Sequence, residues 1–252
     1  MTDKIIFKKY LKLWPEEETV SILIPVYNEK DVIGKLIMEW QNEVLHFLPK
    51  NSSLVIDDGA STDGTSEIIK ELTQLYPNII HNISVQRDGF GNALKRLIGS
   101  VKTHWFFVSD GDGQFSPQDF WILATSRDSA DIVKGSKVTR MDPFTRRISS
   151  LFFNKIVNSI FNCSFSDINA GFFLANSEIL KVIDINKFKM KTLITTEFLI
   201  RSYLANFDIK QKFISHRVRS SGKSRGISTR KYLITGIRAI FILFQIKKTY
   251  RT

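Results

Sequence analysis

Apolar and polar positions alternate in blocks along the first half of the chain. Between residues 19 and 134, short β-branched runs take turns with longer stretches of helical period. TVSILIPV (19–26) reads as a buried strand. NEKDVIGKLIMEWQNEVLHFL (28–48) reads as a helix, with Asn28 expected at its N-cap and Asp31 three residues on. SSLVID (52–57) is a second strand, and TSEIIKELTQLY (65–76) a helix ended by Pro77. Residues 79–85, broken by His81 and Asn82, suggest a third strand. GFGNALKRLIGSV (89–101) gives a helix and HWFFVSD (104–110) a fourth strand. SPQDFWILAT (116–125) predicts a helix in which Ser116 caps, Pro117 suits the first turn and Asp119 completes a capping-box pattern. Repeated strand–helix units predict an α/β protein with a mainly parallel, three-layer sheet.

After about residue 135 the pattern changes. PFTRRISSLFFNKIVNSIFN (143–162) places Ile148, Leu151, Phe152, Ile156 and Ile160 on one helical stripe, with Arg146, Arg147 and Lys155 beside it. GFFLAN (171–176) and DIKQKFIS (208–215) read as strands around a helix in TTEFLIRSYLANF (195–207). The chain ends in YLITGIRAIFILFQIKK (232–248). Its apolar part is about 15 residues and carries Arg238, which is short for a membrane span and suits an interfacial or docking helix. MTDKIIFKKYLKLWPEEE (1–18) is broken by lysines too often for a signal peptide, and is expected to form a short amphipathic helix before Pro15.

In parallel sheets, ligands bind outside the carboxyl ends of the strands. Three polar clusters fall there: PVYNE after the first strand, DDGASTDGT after the second and SDGDGQ after the fourth. The last raises a specific chemical question, since Asp110 and Asp112 repel each other at neutral pH. A hard cation between them removes the repulsion. Carboxylate oxygens suit Mg²⁺ or Mn²⁺, which keep waters or substrate phosphates in their other positions. Gln114 adds a neutral oxygen, and Gly111 and Gly113 permit close approach. GFGNALKRLIG allows two readings: a site wall with Asn92 or Lys95 facing phosphate, or close packing at Gly89 and Gly91.

Charge sharpens this picture. The chain carries a formal charge of +11, with acidic residues mostly in the N-terminal half and cations dense at TRMDPFTRR, HRVRSSGKSRGISTRK and KKTYR. That favours anionic partners. The single cysteine, Cys163, excludes a disulfide framework.

Taken in order, IPVYNE, DDGASTDGT, GFGNALKRLIG, SDGDGQFSPQD, DINAGFFL and HRVRSSGKS resemble the motif series of family 2 glycosyltransferases of the GT-A fold. Within that family the chain looks most like the dolichyl-phosphate mannose synthase group and its bacterial polyprenyl-phosphate relatives. The resemblance implies a GT-A domain over residues 19–226, an N-terminal extension over 1–18 and a C-terminal helix over 227–252. It implies an inverting transfer of a sugar from a GDP- or UDP-hexose to dolichyl or undecaprenyl phosphate. Pro25, Tyr27, Glu29, Asp57, Asp58 and Asp110 would then hold the nucleotide sugar. Asp63 would serve turn and capping chemistry alone. Asp110, Asp112 and Gln114 would hold Mg²⁺ or Mn²⁺.

Lys137, Arg147, Arg219, Lys223 and Ser224 would grip the acceptor phosphate, with Asp112, Arg147 and Arg219 central to catalysis. A phosphate monoester is largely ionised near neutral pH, so it needs cations rather than a strong general base. The expected location is peripheral, on the cytoplasmic face of a membrane, with contact through the two amphipathic helices or a separate membrane protein. No nucleic-acid partner is expected. Three features depart from the family pattern. DDGASTDGT is one residue longer than usual, Lys137 stands where an arginine is usual, and the membrane spans of some relatives are lacking.

Two rival readings follow from the same residues. A saccharide hydroxyl as acceptor would require a general base, for which Asp167 and Glu197 are candidates. More remotely, a basic protein could bind nucleic acid through RVRSSGKSRGISTRK, although no nucleic-acid module pattern accompanies it.

Overall fold

The sheet is built outward from β1 (Val20–Val26), whose seven residues are all buried. A strand covered on both faces needs apolar side chains in both directions, and VSILIPV largely supplies them. The computed structural model describes residues 14–137, 144–218 and 229–250. β2 (Ser53–Asp58) and β4 (Trp105–Val108) pair with β1 in parallel, and β3 (Ile79–Ile83) closes one edge. Beyond β4 lie β6 (Phe173–Asn176), β5 (Ile132–Lys137) and the edge strand β7 (Ile209–Ile214). The order is β3-β2-β1-β4-β6-β5-β7. β6 runs antiparallel to both neighbours, while β7 is parallel to β5.

Period-2 alternation divides the apolar residues between two cores. Ile22, Ile24, Leu54, Ile56 and Phe107 face α1 (Lys30–Glu43), α2 (Thr65–Leu75) and α4 (Asp119–Ala124). Leu23, Val55, Phe106 and Phe173 face α3 (Phe90–Gly99), α5 (Phe144–Phe161), α6 (Ile194–Leu204) and α7 (Thr229–Thr249). The result is the mainly parallel three-layer α/β architecture that the pattern predicts. Trp14 packs against Phe120 and Trp105, so residues just before β1 close the first core.

Two capping expectations are corrected. Asn28 is not the N-cap of α1: Glu29 occupies that position without a side-chain cap, and Asn28 turns at φ 54°. Its amide and side chain instead clamp the loop after β2, through Ser61 Oγ (2.8 Å) and the Thr62 amide (2.6 Å). Ser116 and Asp119 form no capping box. Ser116 Oγ accepts from Arg217, and Asp119 Oδ2 accepts from the Ser215 amide and hydroxyl at 2.9 and 2.6 Å. Both side chains tie down the segment after β7, a long-range role that local spacing does not reveal.

In the DDGASTDGT loop Ala60 adopts φ 61°. The stripe predicted on α5 divides in two. Ile160 is buried and Ile156 packs on the second core, whereas Ile148, Leu151 and Phe152 are exposed. α7 buries Ala239, Leu243 and Ile246 and presents Ile234, Ile237, Phe241 and Phe244 outward. The helix expected before Pro15 falls on residues outside those described.

Candidate active site

The loops after β1 and β4 meet at the carboxyl edge of the sheet, with the start of α3 forming one wall. Together they enclose a cleft of about 250 Å³ lined by Pro25, Tyr27, Glu29, Arg87, Asp110 and Asp112, with Gly89 and Phe90 at the α3 end. The glycines of GDG are required there. A Cβ on Gly111 would lie 2.9 Å from the Pro25 carbonyl, and Gly113 turns at φ 71°. Gly171, entering β6, lies equally close to the site, since a Cβ there would sit 2.5 Å from Asp110 Oδ1.

The Asp110 carboxyl is pushed up to about 7 by loss of water around it, and Asp112 and Asp167 push the same way against the pull of Lys137. Such a carboxyl favours a neighbouring positive charge. Asp112 Oδ1 accepts from the Gln114 amide at 3.1 Å. Gln114 is bound to the segment after β7: its carbonyl accepts from the Arg217 amide at 2.8 Å and its side-chain amide reaches the Arg217 carbonyl at 3.4 Å. His216 packs edge-on against Phe115. Among the described residues, no three His, Cys, Asp or Glu side chains gather closely enough to hold a metal by themselves. A hard cation at the Asp110–Asp112 pair would have to take its remaining oxygens from water or a ligand.

Pro25, Tyr27, Glu29, Asp110 and Asp112 are brought together as the sequence groups them. Asp57 and Asp58 do not line the cleft. Asp57 is buried and accepts a two-pronged bond from Arg96, Nε and Nη2 both at 2.8 Å. Arg96 also holds Asp88 and Ser84, so this network fixes the loop that carries Arg87. Asp58, fully buried, accepts from the Ser61 amide (2.9 Å) and the Ser66 hydroxyl, with His81 Nε2 at 3.8 Å. Burial would raise its carboxyl, but the nearby His81 imidazole and the bonds from Ser61 and Ser66 outweigh it and hold it at about 2. Asp63 accepts from the Thr65 amide and hydroxyl at 3.1 and 2.5 Å, at the start of α2.

On the acceptor side, Lys137 ends β5, its Nζ lying 5.4 Å from the Phe115 ring centroid, and acts electrostatically on Asp110. Arg147 is exposed on α5. Arg219, Lys223 and Ser224 lie outside the described residues. Of the two general-base candidates, Asp167 is buried near Asp110. Glu197 is fully buried and fully engaged. It accepts from the Lys189 and Met190 amides at 2.8 and 2.7 Å and from Arg201 at 3.0 and 2.8 Å. That arrangement holds a loop and offers nothing to a substrate.

Of the two glycines of GFGN, Gly91 serves packing, whereas Gly89 turns at φ 92° in the cleft lining with nothing within 4 Å of a Cβ placed on it. A Cβ on Gly91 would fall 2.1 Å from the Lys191 carbonyl, and Lys95 Nζ donates to the Phe188 carbonyl at 2.6 Å. Two residues escaped the sequence reading. Arg87 stacks over Tyr27 at 4.0 Å in the cleft wall. Its signal was topological, because the loop after β3 ends at the same sheet edge. Lys134 is wholly buried and donates to the Asp167 carbonyl, holding the 166–170 loop in place. A lone lysine in a strand gives no such signal.

Comparison with known proteins places this geometry. A family model described as Glycosyl transferase family 2 matches residues 21–184. Dolichol-phosphate mannosyltransferase of Pyrococcus furiosus is 27% identical over 224 residues, 85% of this chain and 61% of that protein. Glycosyltransferase AglJ of Haloferax volcanii is 26% identical over 164 residues, 63% of this chain and 50% of that protein. An undecaprenyl-phosphate 4-deoxy-4-formamido-L-arabinose transferase of Edwardsiella ictaluri is 25% identical, covering 65% and 51%. The chain thus spans about half the length of the last two.

Among solved structures, glucosyl-3-phosphoglycerate synthase of Mycobacterium tuberculosis with phosphoglyceric acid superposes with a TM-score of 0.71 at 17% identity, covering 94% of this chain and 83% of that one. The same enzyme with Mn²⁺, uridine diphosphate and glucosyl-3-phosphoglycerate gives 0.69 at 16% identity, covering 93% and 82%. These likenesses show the GT-A fold. With the family model covering well over half its length, the chain belongs to glycosyl transferase family 2.

Proposed function

We propose that the chain transfers a sugar from a nucleotide sugar to the phosphate of a polyprenyl phosphate, in one inverting displacement. The observation that carries this reading is the Asp110–Asp112 pair in the cleft beside Tyr27 and Arg87, with Lys137 acting electrostatically on Asp110. Tyr27, stiffened by Arg87, offers a ring face to a base, and Glu29 offers acceptors to ribose hydroxyls. Asp57 and Asp58 act through the loops they hold.

Asp110 and Asp112 are the side chains that would hold Mg²⁺ or Mn²⁺, and a cation there neutralises charge on the departing diphosphate. The relatives named as undecaprenyl-phosphate and dolichol-phosphate transferases, and the solved neighbour with Mn²⁺ and uridine diphosphate, support both halves of the reading. An acceptor phosphate oxygen attacks the anomeric carbon as the bond to the diphosphate breaks. Lys137, Arg147 and Arg219 hold that phosphate. No proton needs to be removed from a dianion, which accords with Glu197 being engaged elsewhere. Exposed Ile148, Leu151 and Phe152 on α5, flanked by Arg147 and Lys155, suit a lipid surface. No described helix is long and apolar enough to cross a membrane.

The test is product formation from a panel of labelled nucleotide sugars with undecaprenyl or dolichyl phosphate in detergent, with and without EDTA. A chloroform-soluble labelled product that EDTA abolishes, and that Asp112→Asn does not form, supports the reading. Transfer only to soluble saccharides overturns it and directs attention to Asp167.

A further inference from the structure

A second cleft, of about 290 Å³, lies between the 189–193 loop and α7. Its lining divides by chemistry. Lys189 and Lys191 from the loop and Arg238 from α7 supply three cations, while Met190, Leu193 and Ala239 form a buried apolar floor. No Asp or Glu lines it. The chain offers none from the α7 side either, because residues 209–252 contain twelve Lys or Arg and no Asp or Glu. Lys189 Nζ reaches across to Gln245 on α7 at 3.2 Å. Three like charges around one cavity repel, and an anion among them converts that repulsion to attraction.

The loop is held in shape before any ligand arrives. Glu197 binds its Lys189 and Met190 amides, and Gly91 packs directly on the Lys191 carbonyl. Next to Arg238, the outward face of α7 is apolar, with Ile237 68% and Phe241 66% exposed. A cationic cleft bordered by an unpaired apolar stripe matches the two chemical ends of an anionic phospholipid: phosphate in the cleft, acyl chain along the helix.

We propose that this cleft is a headgroup site for an anionic membrane phospholipid, separate from the acceptor site, through which α7 docks on the bilayer surface. The proposal does not rest on the sugar-transfer reading, and its test involves neither sugar nucleotide nor polyprenyl phosphate, so either can fail without the other.

The full chain is sedimented with phosphatidylcholine vesicles, with and without phosphatidylglycerol. K189Q/K191Q/R238Q is compared with K50Q/K70Q/K102Q, which removes the same charge from exposed positions elsewhere. Each cation at an anionic surface contributes about fivefold in partitioning, so the cleft variant is expected to bind phosphatidylglycerol vesicles roughly a hundredfold more weakly. The control variant is expected to bind like the wild type. All three cleft side chains are exposed, so the variant is expected to melt with the wild type. Equal loss in both variants, or no loss in the cleft variant, overturns the site. Release of the wild type from vesicles by millimolar glycerol 3-phosphate at constant ionic strength also overturns it, by assigning the cleft to a soluble phosphate.

Discussion

Replacing Glu197 with alanine separates a structural carboxylate from a catalytic one. Glu197 has no solvent exposure, and four donors converge on it: two loop amides and the two-pronged Arg201 guanidinium. Removing it leaves Arg201, only 15% exposed, and two amides without their acceptor. Breaking one side of a buried ion pair costs about 3–5 kcal/mol. Summing four charge-assisted bonds at about 1.5–3 kcal/mol each would give more, but water reaching the partly exposed guanidinium returns part of that loss. At roughly 2–4 °C per kcal/mol for a chain of this size, the melting temperature should fall by roughly 6–20 °C.

Urea and thermal unfolding of Glu197→Ala, Arg201→Met and the double variant measure the effect. The double variant should lose less than the sum of the singles, because its second change removes the stranded charge. The residual transfer activity of folded Glu197→Ala should show a raised donor KM, since the loosened loop backs directly onto α3. A stability loss below about 1 kcal/mol together with abolished turnover would refute this reasoning and return Glu197 to the role of general base.

Three further outcomes follow from the geometry. Gly171→Ala drives a methyl group to 2.5 Å from Asp110 Oδ1 and should cut Mn²⁺ affinity and turnover at least about tenfold, with a stability loss of about 1–3 kcal/mol; unchanged Mn²⁺ titration would sink the placement. Asp58→Asn should cost about 2 kcal/mol at neutral pH, the free energy of lowering a carboxyl from 3.8 to about 2. A depressed carboxyl stabilises above its unfolded value, so in urea melts the difference between the two proteins should persist down to about pH 4 and vanish towards pH 2. Mn²⁺ affinity should fall as pH drops below about 7, by up to about tenfold per unit, because a proton on Asp110 competes with the cation. A flat profile from pH 5 to 8 would contradict that.

The cleft at the carboxyl edge of the sheet was legible because its information is local. Strand, turn and helix follow one another within a few residues, and the period-2 and 3.6 patterns alone place Tyr27, Glu29, Asp110 and Asp112 at one sheet edge. What escaped depends on partners distant in sequence. Asp57, grouped by sequence with the nucleotide-sugar ligands, accepts at both oxygens from Arg96, 39 residues on. Ser116 and Asp119 imitate a capping box, yet their partners lie about a hundred residues away after β7. Glu197 reads as a candidate general base and Lys134 gives no signal, but tertiary packing buries both, and each binds backbone that must otherwise go unsatisfied.

The charge asymmetry along the chain has a structural counterpart in the 188–193 loop, which stands between the two clefts. On one side it receives Gly91 and Lys95 of α3, whose first residues wall the donor cleft; on the other it turns Lys189 and Lys191 towards α7. Acidic side chains gather where a cation and a diphosphate would be held, and the acid-free C-terminal segment gathers where a phosphate-bearing lipid would lie. The loop lines the second cleft and packs on α3, which walls the first, and so ties the two together. A lipid held along α7 and α5 would therefore stay at a set distance from the donor. That is a reason for a buried Glu197–Arg201 pair to hold this loop, where apolar packing alone would leave its amides unpaired and its position loose.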